Sequence, residues 1–263
     1  MQTPNLLNLF SQTNIIIFML VFTRITGLIS SAPFFSTLSM PLITKTWFSA
    51  LIAFILYPMV LANYKFILPH NMAEFIILTA IEFFVGYLIG YVANLLIEGA
   101  RMAGSILSIQ MGLSISEALD PATGVSSNIL SRIYIYFATL VFLATGAANM
   151  LFATLYSSFE SIPCGMFVVF DSNIVQSMIH LFAYLFKISF AIALPIFAVL
   201  LICDVLLGLM SKMMPQMNVY MVAIPVKIYI GLFLMMAFLS ATNVYLTGVT
   251  GDYMSAIGAL FAK

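Results

Sequence analysis

Five ionisable side chains, Arg24, Glu82, Lys187, Asp204 and Lys227, stand inside or beside long apolar runs of this 263-residue sequence. Acids and bases so placed could hand protons or ions from helix to helix. Held in pairs, or reaching to a helix end on long stems, they would be structural instead. A charge at membrane depth costs roughly 2.5–3.5 kcal/mol on insertion scales, so each must face a partner, water or another subunit. They lie on separate spans with no second acid at helical spacing, and both readings stand at this point. Glu98 and Arg101, at i and i+3, are spaced for an ion pair on one helical face. Asp204 and Lys212 are two turns apart, a longer reach.

A second feature is polar rather than charged. Residues 104–128 read GSILSIQMGLSISEALDPATGVSSN between long apolar runs. Polar backbone at membrane depth is tolerated only where it is buried in protein or lines a watery path. The stretch is therefore expected to be a loop that helps build a conduit.

Other chemistry has little to stand on. There is no GxxxxGK[ST], HExxH or GxSxG, so no P-loop, zinc-protease or hydrolase signature is present. His70 and His180 are isolated, and no His/Cys/Asp cluster has metal-ligand spacing; neither metal nor other cofactor is expected. Cys164 and Cys203 sit beside apolar residues and read as buried thiols. With nine basic and nine acidic residues the formal charge is zero, and no basic stripe offers itself to nucleic acid.

Composition sets the class. The chain is 63% hydrophobic and 7% charged, against about 25% charged in soluble domains. It reads as an all-α integral membrane protein with kinked, partly broken helical hairpins. Six apolar stretches stand out: roughly Asn14–Phe35, Trp47–Leu61, Met72–Ile97, Ile129–Phe152, Val175–Leu209 and Val219–Leu246. The first is expected to be a retained helix, because no Lys or Arg precedes it and Arg24 interrupts it. Pro195 is expected to kink the fifth. The fifth and sixth form one hairpin, broken at Met214-Pro215-Gln216. Gly86 and Gly90 make a GxxxG pattern that favours close approach of a neighbouring helix. Met210, Met213, Met214, Met217 and Met221 fall near helical spacing, suited to ordinary packing or to a deformable seal.

Three segments together resemble a known family. They are Gln110-Met111-Gly112-Leu113-Ser114 followed by Asp120-Pro121; Ala193-Leu194-Pro195 opening the run to Asp204; and Leu207-Gly208-Leu209 leading through Pro215-Gln216-Met217-Asn218-Val219 to Ile224-Pro225-Val226-Lys227. This set resembles the FliR family of flagellar biosynthetic proteins, shared with the T component of injectisome export apparatus. The resemblance covers essentially the whole chain, although the first and last segments match only in character.

It implies a core subunit of the type III secretion export gate in the bacterial inner membrane and the flagellar basal body. Such a subunit assembles with P and Q subunits and a B-type switch subunit, is encircled by the basal-body ring, and passes unfolded proteins. Residues 1–172 would be the P-like part, with residues 104–128 as its loop; residues 173–263 would be a Q-like hairpin plus C-terminal tail. Gln110, Met111, Gly112, Leu113 and Ser114 would plug the resting channel, Asp120 and Pro121 would end the loop, and Pro215, Gln216 and Asn218 would shape the hairpin tip. The rival from the residues alone is a proton-coupled secondary transporter using Glu82, Lys187 or Asp204. An enzyme is not expected.

Overall fold

The computed structural model describes residues 12–37, 40–63, 66, 68–69, 71–113, 128–165, 172–214 and 219–261. Among them are helices and no strand: α1 (Gln12–Ser31), α2 (Pro33–Thr37), α3 (Leu42–Asn63), α4 (Met72–Met111), α5 (Ile129–Ala144), α6 (Ala147–Ser161), α7 (Ser172–Met213) and α8 (Val219–Phe261). Five are long and apolar enough to cross a membrane, and a sixth span exists only if α5 and α6 count as one. The chain is an all-α integral membrane protein.

Several elements differ from the sequence reading. The expected fourth span breaks at Thr145-Gly146, where Gly146 takes a φ of 72° that L side chains rarely adopt. Most consequentially, α4 does not stop near Ile97. It runs 40 residues to Met111, about 60 Å at the α-helical rise. The polar stretch therefore begins as helix, and residues 104–111 are not loop. The apolar stripe continues through Ala100, Ala103, Leu107 and Met111, all fully buried, and that burial holds the helix together past its serines.

Packing forms two compact units. One comprises Met1–Leu95, Gly146–Leu181 and Gly251–Lys263; the other comprises Leu96–Thr145 and Phe182–Thr250. In the first unit, the buried face of α1 is Leu20, Val21, Arg24, Ile25, Leu28 and Ile29. The spacing alternates three and one, a single helical stripe, and Arg24 occupies one of its inward positions. On α4 the inward positions are Leu78, Glu82, Val85, Ile89 and Ala93, so Glu82 is inward as well.

Glycines bring these two helices together. A Cβ on Gly27 would stand 2.8 Å from the Tyr87 amide nitrogen, and one on Gly90 would stand 2.6 Å from the Leu28 carbonyl. One on Gly86 would overlap the Arg24 carbonyl. The GxxxG pattern of α4 thus meets Gly27 of α1 in reciprocal contact, and Ser31 Oγ crosses to donate to the Tyr87 carbonyl at 2.8 Å.

That approach buries an ion pair. Arg24 is 0% exposed and Glu82 2%. Arg24 Nε donates to Glu82 Oε2 at 2.6 Å. Its Nη1 donates to the Ser158 carbonyl at 3.1 Å and its Nη2 to the Ile162 carbonyl at 2.9 Å. These are carbonyls at the C-terminal end of α6, where the helix dipole favours a cation. The Phe159 ring lies 4.5 Å from the guanidinium carbon. Glu82 Oε1 accepts from the Gly165 amide at 3.0 Å, within a turn that holds Gly165 at φ 87°. Desolvating two ions costs several kcal/mol each, which the pair recovers only when its remaining donors and acceptors are met; here they are met by the C-terminal turn of α6 and the turn after it.

Two outcomes are expected from this packing. Glu82→Gln leaves a buried guanidinium without its counter-charge and should cost about 3–5 kcal/mol. The thermal midpoint of the detergent-solubilised protein should fall accordingly, and Arg24→Met combined with Glu82→Leu should recover most of the loss. Cys164, outside the spans and 1% exposed, has its thiol pushed up to about 12 by burial, with Arg24 opposing and Glu82 adding to the shift. A raised thiol stays protonated as pH climbs past its unfolded value. Alkylation of Cys164 in the folded protein should therefore stay negligible at pH 8 to about 10, and become fast on unfolding, where the thiol returns to about 8.5.

Candidate functional site

In the second unit, the C-terminal end of α4 is fastened to α7 and α8. A glycine ends it: Gly112 adopts φ 80°, a left-handed turn that glycine takes without strain, and its amide donates to the Ile109 carbonyl at 3.0 Å. The last carbonyls of a helix have no partner within it. Here Lys227 of α8 supplies one, with Nζ donating to the Gln110 carbonyl at 3.3 Å. The Gln110 side chain reaches the other way, Nε2 donating to Asp204 Oδ2 of α7 at 2.8 Å. Asp204 Oδ1 pairs with Lys227 Nζ, which closes the triangle. Lys227 is 16% exposed and Asp204 39%. Beside this polar contact, Met111 is fully buried against Gly231, where a Cβ would stand 2.7 Å from the Met111 sulfur.

A cavity of about 370 Å³ opens at the same place, lined by Gln110, Met111, Gly112, Asp204, Gly208, Ser211 and Lys227 among others. The polar stretch is also anchored where it returns. Asn128 accepts from Ser108 Oγ at 3.0 Å and donates to Ser105 Oγ at 3.2 Å. Gly104 packs on α5, where a Cβ would stand 2.7 Å from the Ser131 Cα. Ser105 and Ser108, expected to line a loop, thus belong to a helix and meet the residue that precedes α5.

The structure brings some expected site residues together and not others. Gln110, Met111 and Gly112 form the end of α4, and Leu113 comes directly after. Ser114, Asp120, Pro121, Pro215, Gln216, Met217 and Asn218 lie outside the described residues. Asp204 pairs across the hairpin with Lys227 rather than along its own helix with Lys212, because eight residues separate Asp204 from Lys212 by about 12 Å of rise. Glu98 and Arg101 pair at 2.5 Å. Lys187 is exposed on α7, 5.0 Å from the Tyr184 ring centroid. Met210, Met213, Met214 and Met221 are exposed, so ordinary packing within this chain is not their role. The pairing of Arg24 with Glu82 escaped the sequence reading, although a signal existed: each occupies an inward position of its helix's apolar stripe, beside the glycines that join the two helices.

Residues 15–252 match the family described as bacterial export proteins, family 1. Among curated relatives, the flagellar biosynthetic protein FliR of Bacillus subtilis (strain 168) is 28% identical over 88% of this chain and 89% of its own. FliR of Escherichia coli (strain K12) is 29% identical over 81% of this chain and 80% of its own. The surface presentation of antigens protein SpaR of Shigella flexneri is 28% identical over 64% of each chain. A match spanning all but the ends, joined to an all-helical membrane fold, places this chain in bacterial export proteins family 1.

Proposed function

We propose that the chain is a non-enzymatic subunit of the flagellar type III export gate in the bacterial inner membrane, and that it forms part of the channel through which unfolded flagellar proteins leave. The segment beginning at Gly112 plugs that channel at rest. Its partners are the P and Q export-gate subunits and the B-type switch subunit, within the basal-body ring. The observation that carries the plug is the fixed end of α4: a long polar segment starts from a firmly held turn at Gly112 and returns to Asn128 beside Ser105 and Ser108. Leu113 supplies apolar bulk to close a gap, Gly112 supplies the turn, and Gln110 and the buried Met111 hold its root. Relatives carrying flagellar names over most of their length support the flagellar setting, and Pro215-Gln216-Met217-Asn218-Val219 leans the same way.

Helix lengths support assembly within a larger complex. α4, α7 and α8 have 40, 42 and 43 residues, or about 60–65 Å each, roughly twice the hydrocarbon thickness of a bilayer. α8 leaves Tyr229, Phe233, Met236 and Val244 exposed, a surface that lipid or other subunits must cover. The division into a P-like part to residue 172 and a Q-like hairpin from residue 173 belongs to this reading, with the Asp204–Lys227 pair tying the two arms of the hairpin.

The proton-coupled transporter gains nothing from the buried charges. Glu82 is held on both oxygens, by the Arg24 guanidinium and the Gly165 amide, and Asp204 is held by Lys227 and Gln110. The test of the plug is electrical. Deleting residues 113–127 in an otherwise complete apparatus should raise ion leak across the inner membrane while the complex still forms. An assembled complex with unchanged leak would defeat the plug.

A further inference from the structure

Asp204 and Lys227 have no part in the plug itself, yet they meet where its root leaves α4. We infer that this ion pair is a clasp: it positions the plug root and so sets how firmly the channel stays shut. The inference rests on the plug reading above and adds the residues that govern it. Three contacts converge on two consecutive residues. Asp204 takes the Gln110 side chain at 2.8 Å, Lys227 takes the Gln110 carbonyl at 3.3 Å, and Gly231 receives Met111. Two of these come from α8 and one from α7, so the end of α4 is held to both arms of the hairpin at once.

The chemistry of each group suits the task. Lys227 carries a positive charge to the negative end of the α4 dipole. Asp204 holds Lys227 in place and takes the Gln110 amide as its second donor. Neither contact survives if α8 shifts along α7, because Lys227 would then leave Asp204 and the Gln110 carbonyl together. The clasp is partly exposed and borders the 370 Å³ cavity, which gives the end of α4 room to move once released. Arg24 and Glu82 differ here: fully buried, they fix a helix crossing and have no room to open.

Two charge-removing variants test this, Lys227→Met and Asp204→Asn, with Lys227→Arg as the variant that keeps the charge and the donors. Each is read in cells making the complete apparatus, with co-purification of the partner subunits as the measure of assembly. The charge-removing variants should assemble and raise ion leak about tenfold, as expected when one coupling contact is removed from a two-state gate. Lys227→Arg should leak no more than wild type. If deleting residues 113–127 leaks but the charge-removing variants do not, the clasp is wrong and the plug stands. If the deletion itself does not leak, the plug reading fails first. Should the charge-removing variants fail to assemble, Gln110→Leu decides, because it removes the donor to Asp204 and leaves the ion pair intact: raised leak in an assembled complex upholds the clasp, and wild-type leak overturns it.

Discussion

A charge removed from water must meet an opposite charge and have its remaining hydrogen-bonding capacity filled, or the fold does not hold. This constraint organises both compact units of the chain. In one, Arg24 can be buried only because three glycines let α1 and α4 touch, because Glu82 faces it, and because the C-terminal end of α6 presents the Ser158 and Ile162 carbonyls. In the other, Lys227 can sit in an apolar helix only because Asp204 and the carbonyl end of α4 face it. Four of the five ionisable residues that first suggest proton traffic, Arg24, Glu82, Asp204 and Lys227, stand in two ion pairs. One pair is sealed and permanent in character; the other is partly wetted and borders a cavity.

The same logic explains the polar stretch. Its first part is polar in side chain but satisfied as helix, and Ser105 and Ser108 find Asn128 across the gap. The end of α4 and Asn128, which precedes α5, are thereby both anchored. A subunit whose long helices exceed a bilayer's thickness, and whose α8 exposes aromatic and methionine side chains, has much of its surface still to be covered. Lipid or other subunits must cover such a surface.

Much of this was legible in the residues. Low charge and long apolar runs give the class, the GxxxG pattern gives a close helix contact, and Glu98 with Arg101 gives a local pair. Residue motifs give the family. The extension of α4 to Met111 was not read, because a count of polar residues hides the continuing stripe of Ala100, Ala103, Leu107 and Met111. The partners of Asp204 and Arg24 were not read because they come from residues far away in sequence. Along its own helix the nearest base to Asp204 is Lys212, two turns away, and only the hairpin brings Lys227 to it. The break at Gly146 is carried by one backbone angle that apolar composition does not report.

The central claim is that the chain leaving α4 at Gly112 stands in the path of exported protein. Site-specific photo-crosslinking from position 113, in cells where a flagellar substrate is arrested in transit, tests it most directly. The account predicts a covalent adduct between this chain and the arrested substrate. Arrested export with no adduct from position 113 would contradict it.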